Sequence, residues 1–125
     1  MANPRPRIEI KHLGDVTIVR FPGKRLKEEK VVEAIGQQLF KLVGEIGPKK
    51  TVLDFRNVVL LSSAAIGKLL TLLKKVHAAG GRLALCNLDP ATQELFAITK
   101  LDKLFQIEPP PAEDRPDADF GLRRR

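Results

Sequence analysis

The sequence has no tryptophan, no tyrosine and a single cysteine, Cys86. One thiol excludes an internal disulfide, and cytoplasmic residence is the simplest reading. Aromatic residues make up only 5%, which argues against a platform that stacks nucleic-acid bases, and no direct nucleic-acid binding is expected. No apolar run reaches the roughly 18 residues of a membrane span. The opening "MANPRPRIEI" has two prolines and no apolar centre, so it does not read as a secretory signal. No zinc-ligand cluster and no Gly-x-Ser-x-Gly elbow occur. The two histidines, His12 in a first strand and His77 late in a helix, are not placed to act as a general base. Gly80-Gly81 follows a helix and enters a strand, the reverse of a phosphate-binding loop. Cys86 lies inside an apolar strand and reads as inert core. The expectation is a protein with no catalytic residues, no metal and no cofactor.

Acidic residues are missing from one stretch. Between Asp54 and Asp89 there is none, while Arg56, Lys68, Lys74, Lys75 and Arg82 are basic. Net charge is +7, and the last 17 residues hold four arginines against four acids. The excess therefore sits in the body of the chain. A basic surface there favours an acidic partner; a solvated face is the plainer alternative.

What is present is enough for a core: 43% of the 125 residues are hydrophobic, which suits one compact domain. "IEIKHLGDVTIVRF" reads as two alternating strands around Gly14-Asp15, an antiparallel hairpin. "PGKRLKEEK" reads as a charged loop. Val31, Val32, Ile35, Leu39, Leu42, Val43 and Ile46 recur at helical spacing, predicting a helix over about 28–45 that Gly47-Pro48 stops. "TVLDF" is a short strand and "RNVVLL" a connection. A second helix carries Ile66, Leu69, Leu70, Leu73 and Val76 on one face and Lys68, Thr71, Lys74 and Lys75 on the other, ending at Gly80-Gly81. "RLALCN" predicts a strand buried on both faces. Asp89-Pro90 opens a third helix, and "LFQI" is a last strand. The order is β-β-α-β-α-β-α-β. Such alternation predicts an α/β fold with a mixed, mostly parallel sheet of about five strands and the hairpin at one end. Residues 1–6 are expected to be disordered, 7–108 to form the domain, and 109–125 to be a Pro-rich, mixed-charge tail.

Two serines interrupt the apolar run "VVLLSSAAIGKLLTLL". Ser62 is placed to cap the second helix through its side-chain oxygen. It lacks the reciprocal acidic residue of a capping box, since Ala65 stands there. Ser63 falls in the first turn, facing outward or toward the preceding loop, among small neighbours that permit close approach by another surface.

From Thr51 to Ile107 the chain resembles the STAS family, the domain shared by sulfate transporters and bacterial anti-sigma factor antagonists. The pieces are Asp54 at a strand end, "SSAAIG" opening a long helix, Gly80-Gly81, "LALCN", Pro90 and Leu95-Phe96. The resemblance covers most of residues 8–108 and implies a single STAS-like domain. It further implies an anti-sigma factor antagonist that is not itself an enzyme. Such a protein binds a serine kinase that doubles as an anti-sigma factor, is switched by phosphorylation, and so regulates transcription by partner switching. The family's phosphoacceptor position falls on Ser63. The implied partner-binding set is Ser62, Ser63, Ala64, Ala65, Gly67 and Lys68, with Gly23, Lys24 and Arg25 from an earlier loop. The chain departs from the family pattern in placing Ser62 for its Asp, Ala64 for its second hydroxyl, Ala65 for its Gly, and bases in the loop at 23–26 where acids are usual. A monomer or weak dimer is expected. The alternative is a STAS-fold scaffold or transporter-associated subunit in which Ser63 has no switching role.

Overall fold

A computed structural model describes residues 7–111. The expectations for residues 1–6, and for the tail beyond Pro111, lie outside the described residues.

Strands β1 (Glu9–Leu13) and β2 (Val16–Arg20) form the expected hairpin, turning at Gly14 with φ +59°. Helix α1 (Glu29–Ile46) follows, then β4 (Lys50–Asp54), α2 (Ser63–Ala78), β6 (Arg82–Cys86), α3 (Pro90–Ile98), a 3₁₀ turn (Leu101–Lys103) and β7 (Gln106–Ile107). Two elements were not foreseen: β3 (Arg25–Leu26) and β5 (Leu60–Leu61), which pair with each other in parallel. The stretches read as a charged loop and a plain connection are therefore joined by a two-residue ladder, too short to leave a period in the sequence.

The main sheet has the order β1-β2-β4-β6-β7, antiparallel only between β1 and β2. Each crossover steps in the same direction along the sheet, so right-handed connections place α1, α2 and α3 on one face. The packing agrees. Val19, Leu53 and Leu85 stand in register and join a core with Leu39 of α1, Leu72 of α2 and Phe96 of α3. Their alternating neighbours Ile18, Val52 and Ala84 point to the opposite face, where with Cys86 they form a second, smaller cluster. As expected, β6 is buried on both faces.

In α2 the expected stripe is displaced. Leu69 and Val76 are buried, but Leu72 is the most enclosed leucine of the helix at 0% exposure; Ile66, Leu70 and Leu73 are only partly buried at the edge of the core. In "LLTLLKK" four leucines offer two overlapping stripes, and contact with α1 and the sheet selects between them. The helix ends where Gly80 adopts φ +79°. Gly81 must remain glycine because a Cβ there would lie 2.6 Å from the Lys49 carbonyl oxygen.

Candidate functional site

The loops leaving the carboxyl ends of β2 and β4 meet through the β3–β5 ladder. The Lys24 carbonyl accepts from the N–H groups of Val59 at 2.7 Å and Leu60 at 3.3 Å, and the Leu26 carbonyl accepts from the N–H of Ser62 at 2.9 Å. Gly23, Lys24 and Arg25 are thereby held beside the start of α2. The two segments assigned to partner binding from the sequence are brought together, although nothing in the sequence announced the ladder that does it.

Ser62 is extended, with φ −78° and ψ 166°, and its Oγ accepts from the N–H of Ala65 at 3.1 Å. It is the N-cap of α2, as expected. Ser63 and Ala64 are the first two helical residues and both are exposed. Ser63 thus presents a hydroxyl over the positive end of the helix dipole, where N–H groups lack intrahelical acceptors. Gly67 is also exposed, with open space where a Cβ would be. Lys24 and Arg25 are exposed, and so is Arg56 just upstream.

Two members of the sequence-derived set face elsewhere. Ala65 is 6% exposed and packs into the core. Lys68 crosses to α1: its Nζ lies 2.7 Å from Glu33 Oε1, its aliphatic chain runs over Gly36, and its ammonium stands 5.7 Å from the Phe40 ring centre. Hydrogen bonds from Lys68 and Gln37 hold the Glu33 carboxyl below the usual carboxylate range. Lys68 clamps α1 to α2 rather than standing in open solvent. Two residues the sequence reading passed over do face solvent here: Val59 at 49% and Leu60 at 41% exposure. Their signal was the apolar run 58–61, which has no period to say which members turn outward.

Behind this patch lies a second polar cluster. Asp54, at the end of β4, has a side chain with 0% exposure. Its Oδ1 accepts from the Arg56 N–H at 3.0 Å and from Asn87 Nδ2 at 2.9 Å. Its Oδ2 accepts from the Nε atoms of Arg20 and Arg56, each at 3.1 Å. Burial pushes the carboxyl pKa up, but the hydrogen bonds from Asn87, Arg56 and Arg20 outweigh it and hold the group below its ordinary value. Asn87 reaches Asp54 from a left-handed backbone position, φ +60°. The cluster locks the ends of β2, β4 and β6 together beneath the loop that delivers the serines.

His12 hydrogen-bonds Thr17 within the hairpin, and His77 lies in the last turn of α2, so neither accompanies Ser63. Cys86 is buried. Among the described residues no group of three or more His, Cys, Asp or Glu is placed to hold a metal ion, and no helix is long and apolar enough to cross a membrane.

Comparison with known proteins adds three likenesses and a family match. The STAS domain model matches residues 7–113. A STAS-domain containing protein of Pseudomonas aeruginosa is 34% identical over 62 residues, a stretch that takes in 50% of this chain but only 61% of that relative. The anti-sigma F factor antagonist of Paenibacillus polymyxa is 25% identical over 101 residues, 81% of this chain and 85% of the relative. Among solved structures, an anti-sigma-factor antagonist (STAS) domain protein from Planctomyces limnophilus superposes with a TM-score of 0.74 at 27% identity, covering 85% of this chain and 92% of that one.

Proposed function

The chain belongs to the STAS domain family, and from that premise we propose that it is a cytoplasmic regulator of the anti-sigma factor antagonist type. It carries out no chemistry itself. It binds a protein partner, a serine kinase that is also an anti-sigma factor, through the patch formed by Ser63, Ala64 and Gly67 with Gly23, Lys24 and Arg25. It is released when Ser63 is phosphorylated. One observation carries this reading: of the two adjacent serines, Ser62 is engaged as the helix cap while Ser63 is exposed.

The switch follows from charge and solvation. Unmodified, Ser63 lies in a surface of small side chains that a partner can cover closely. Phosphorylation adds about −1.5 to −2 charges at pH 7. The free protein tolerates them, because the first turn of α2 offers N–H donors and a favourable dipole. A partner face matched to a neutral hydroxyl does not, because it strips water from the phosphate without replacing its hydrogen bonds. The complex is lost and the fold is kept.

A second reading, a STAS-fold scaffold or transporter-associated subunit without a phosphoswitch, is favoured by the departures at Ser62, Ala64 and Ala65 and by the basic loop at 24–25. The two part on one experiment: isolation of the tagged chain from its native cells, with mass spectrometry of the bound proteins and of the peptide containing Ser63. The antagonist reading expects a kinase-type partner and a phosphorylated fraction at Ser63 but not at Ser62. A stoichiometric assembly partner with Ser63 unmodified under all growth conditions supports the scaffold instead.

A further inference from the structure

The main sheet ends on two unlike edges. At one, β7 is two residues long and runs into Pro109, Pro110 and Pro111, which have no N–H to donate. At the other, β1 is five residues long, and Glu9, Ile10, Lys11 and His12 are exposed, Ile10 at 45%. The two-residue turn at Gly14-Asp15 makes Leu13 and Val16 a hydrogen-bonded pair. By alternation Lys11–Ile18 and Glu9–Arg20 are bonded pairs too, and the N–H and C=O groups of Ile10 and His12 turn away from β2, along the open edge. The N–H of Ile8 points the same way and is taken by Gln38 Oε1 at 2.9 Å.

This edge is complementary to its own copy. Antiparallel pairing about a two-fold axis sets one residue opposite itself, and the side chains choose which. Centred on Lys11, it opposes two ammonium groups directly, which is destabilising. Centred on His12, it runs Ile10 against Gly14 in the turn and leaves much of the strand unpaired. Centred on Ile10, it joins the N–H and C=O of Ile10 to the same groups of the copy, and the His12 N–H meets the Ile8 carbonyl. Glu9 then stands opposite Lys11 of the copy, twice, in the non-hydrogen-bonded pairs where side chains approach most closely. Lys11 already makes a contact within its own chain; an ammonium has three donors, so the new pair adds to that contact. On the helix-bearing side, Ile10 borders a groove with Lys41, Leu42 and Glu45 of α1. The axis makes the two α1 helices antiparallel, and opposite charges one turn apart are self-complementary in that arrangement.

We infer that the β1 edge is a homodimer interface: two copies pair β1 to β1 in the register centred on Ile10, joining two five-stranded sheets into one. The strand contact is small, so the dimer is weak and dissociates on dilution. The axis sends the carboxyl ends of β2 and β4, and with them the two Ser63 patches, in opposite directions. The inference uses no residue of the Ser63 patch and stands or falls apart from the switch.

Sedimentation equilibrium of the full chain over a rising concentration series should show a monomer–dimer equilibrium. Ile10→Lys should weaken the dimer on the order of tenfold or more by placing two charges at the axis. Glu9→Lys and Lys11→Glu should each weaken it, and the two together should recover most of it, because the swap restores opposite charges across the axis. Far-UV circular dichroism of each variant checks the fold. Independently of any variant, amide exchange at Ile10 and His12 of the wild-type chain should slow with rising concentration, while that of Ser63 should not. A chain that stays monomeric at every concentration, a dimer that survives Ile10→Lys in a folded variant, or exchange at Ile10 and His12 that ignores concentration overturns the inference. A charge swap that recovers nothing overturns the register.

Discussion

At the carboxyl ends of β2, β4 and β6, Asp54 is fully enclosed and takes four hydrogen bonds on its two oxygens. In the adjacent loop, Ser63 stands exposed beside Lys24, Arg25, Val59 and Leu60. Both regions are polar, and both are built by contacts between segments far apart in the sequence. They differ in saturation. Every lone pair that Asp54 needs compensated is compensated inside the fold, so its polarity serves stability. The helix start keeps a hydroxyl, two cations and two apolar side chains turned outward, so its polarity is left for something else. Ser62 and Ser63 repeat the contrast at neighbouring positions: one oxygen is committed to the backbone, the other is displayed.

The contrast can be broken or sharpened by substitution. The largest effect is expected from the platform under the displayed region. Leu72→Ala empties a fully buried site between α2 and the sheet, and chemical denaturation should show a loss of about 2–5 kcal/mol. Leu70→Ala, only partly buried, should lose clearly less. Equal losses would restore the stripe first read from the sequence.

Asp54→Ala comes next. It removes the acceptor of the half-buried Asn87 and the buried counter-charge of Arg20 and Arg56, whose guanidinium groups still reach water, for a loss of about 1–3 kcal/mol. The same group predicts a pH dependence. Its folded pKa is depressed, so its stabilisation is present above the unfolded carboxylate value and is lost as pH falls through the folded one. The stability gap between wild type and Asp54→Asn, measured by denaturation, should therefore be widest near neutrality and shrink below about pH 4. A gap independent of pH would mean that the charge contributes nothing.

Ser62→Ala removes the cap and should lower stability by about 1 kcal/mol. Ser63→Ala should leave the melting temperature nearly unchanged, because the hydroxyl it removes faces solvent. If the two substitutions act alike on stability, the division of labour between the serines is wrong.

How much of this could be read beforehand depends on the range of the interaction. The cap at Ser62, the Asp89-Pro90 start of α3 and the Gly80-Gly81 stop are local, and each was legible from a few residues. The mixed sheet and the order of its elements along the chain followed from the alternation of apolar runs. The β3–β5 ladder was not legible, because two residues on each strand carry no period. Nor was the Asp54 cluster, whose partners Arg20 and Asn87 lie 34 and 33 residues away. Leu72 was hidden by its leucine neighbours. At the patch, the sequence named Ser63 and the basic loop. It could not reveal that Ala65 turns inward, that Lys68 is bound to Glu33, or that Val59 and Leu60 turn outward, since each depends on what packs alongside.

The central claim is that Ser63 is a displayed switch and not a second structural serine. It is tested most directly by the affinity of the natively co-purified partner for the unmodified chain and for the same chain phosphorylated at Ser63, with both forms melted in parallel. The account predicts at least about tenfold weaker binding on phosphorylation, some 1.4 kcal/mol, at nearly equal melting temperature. Equal affinities, or a loss of binding that tracks a loss of folding, would contradict it.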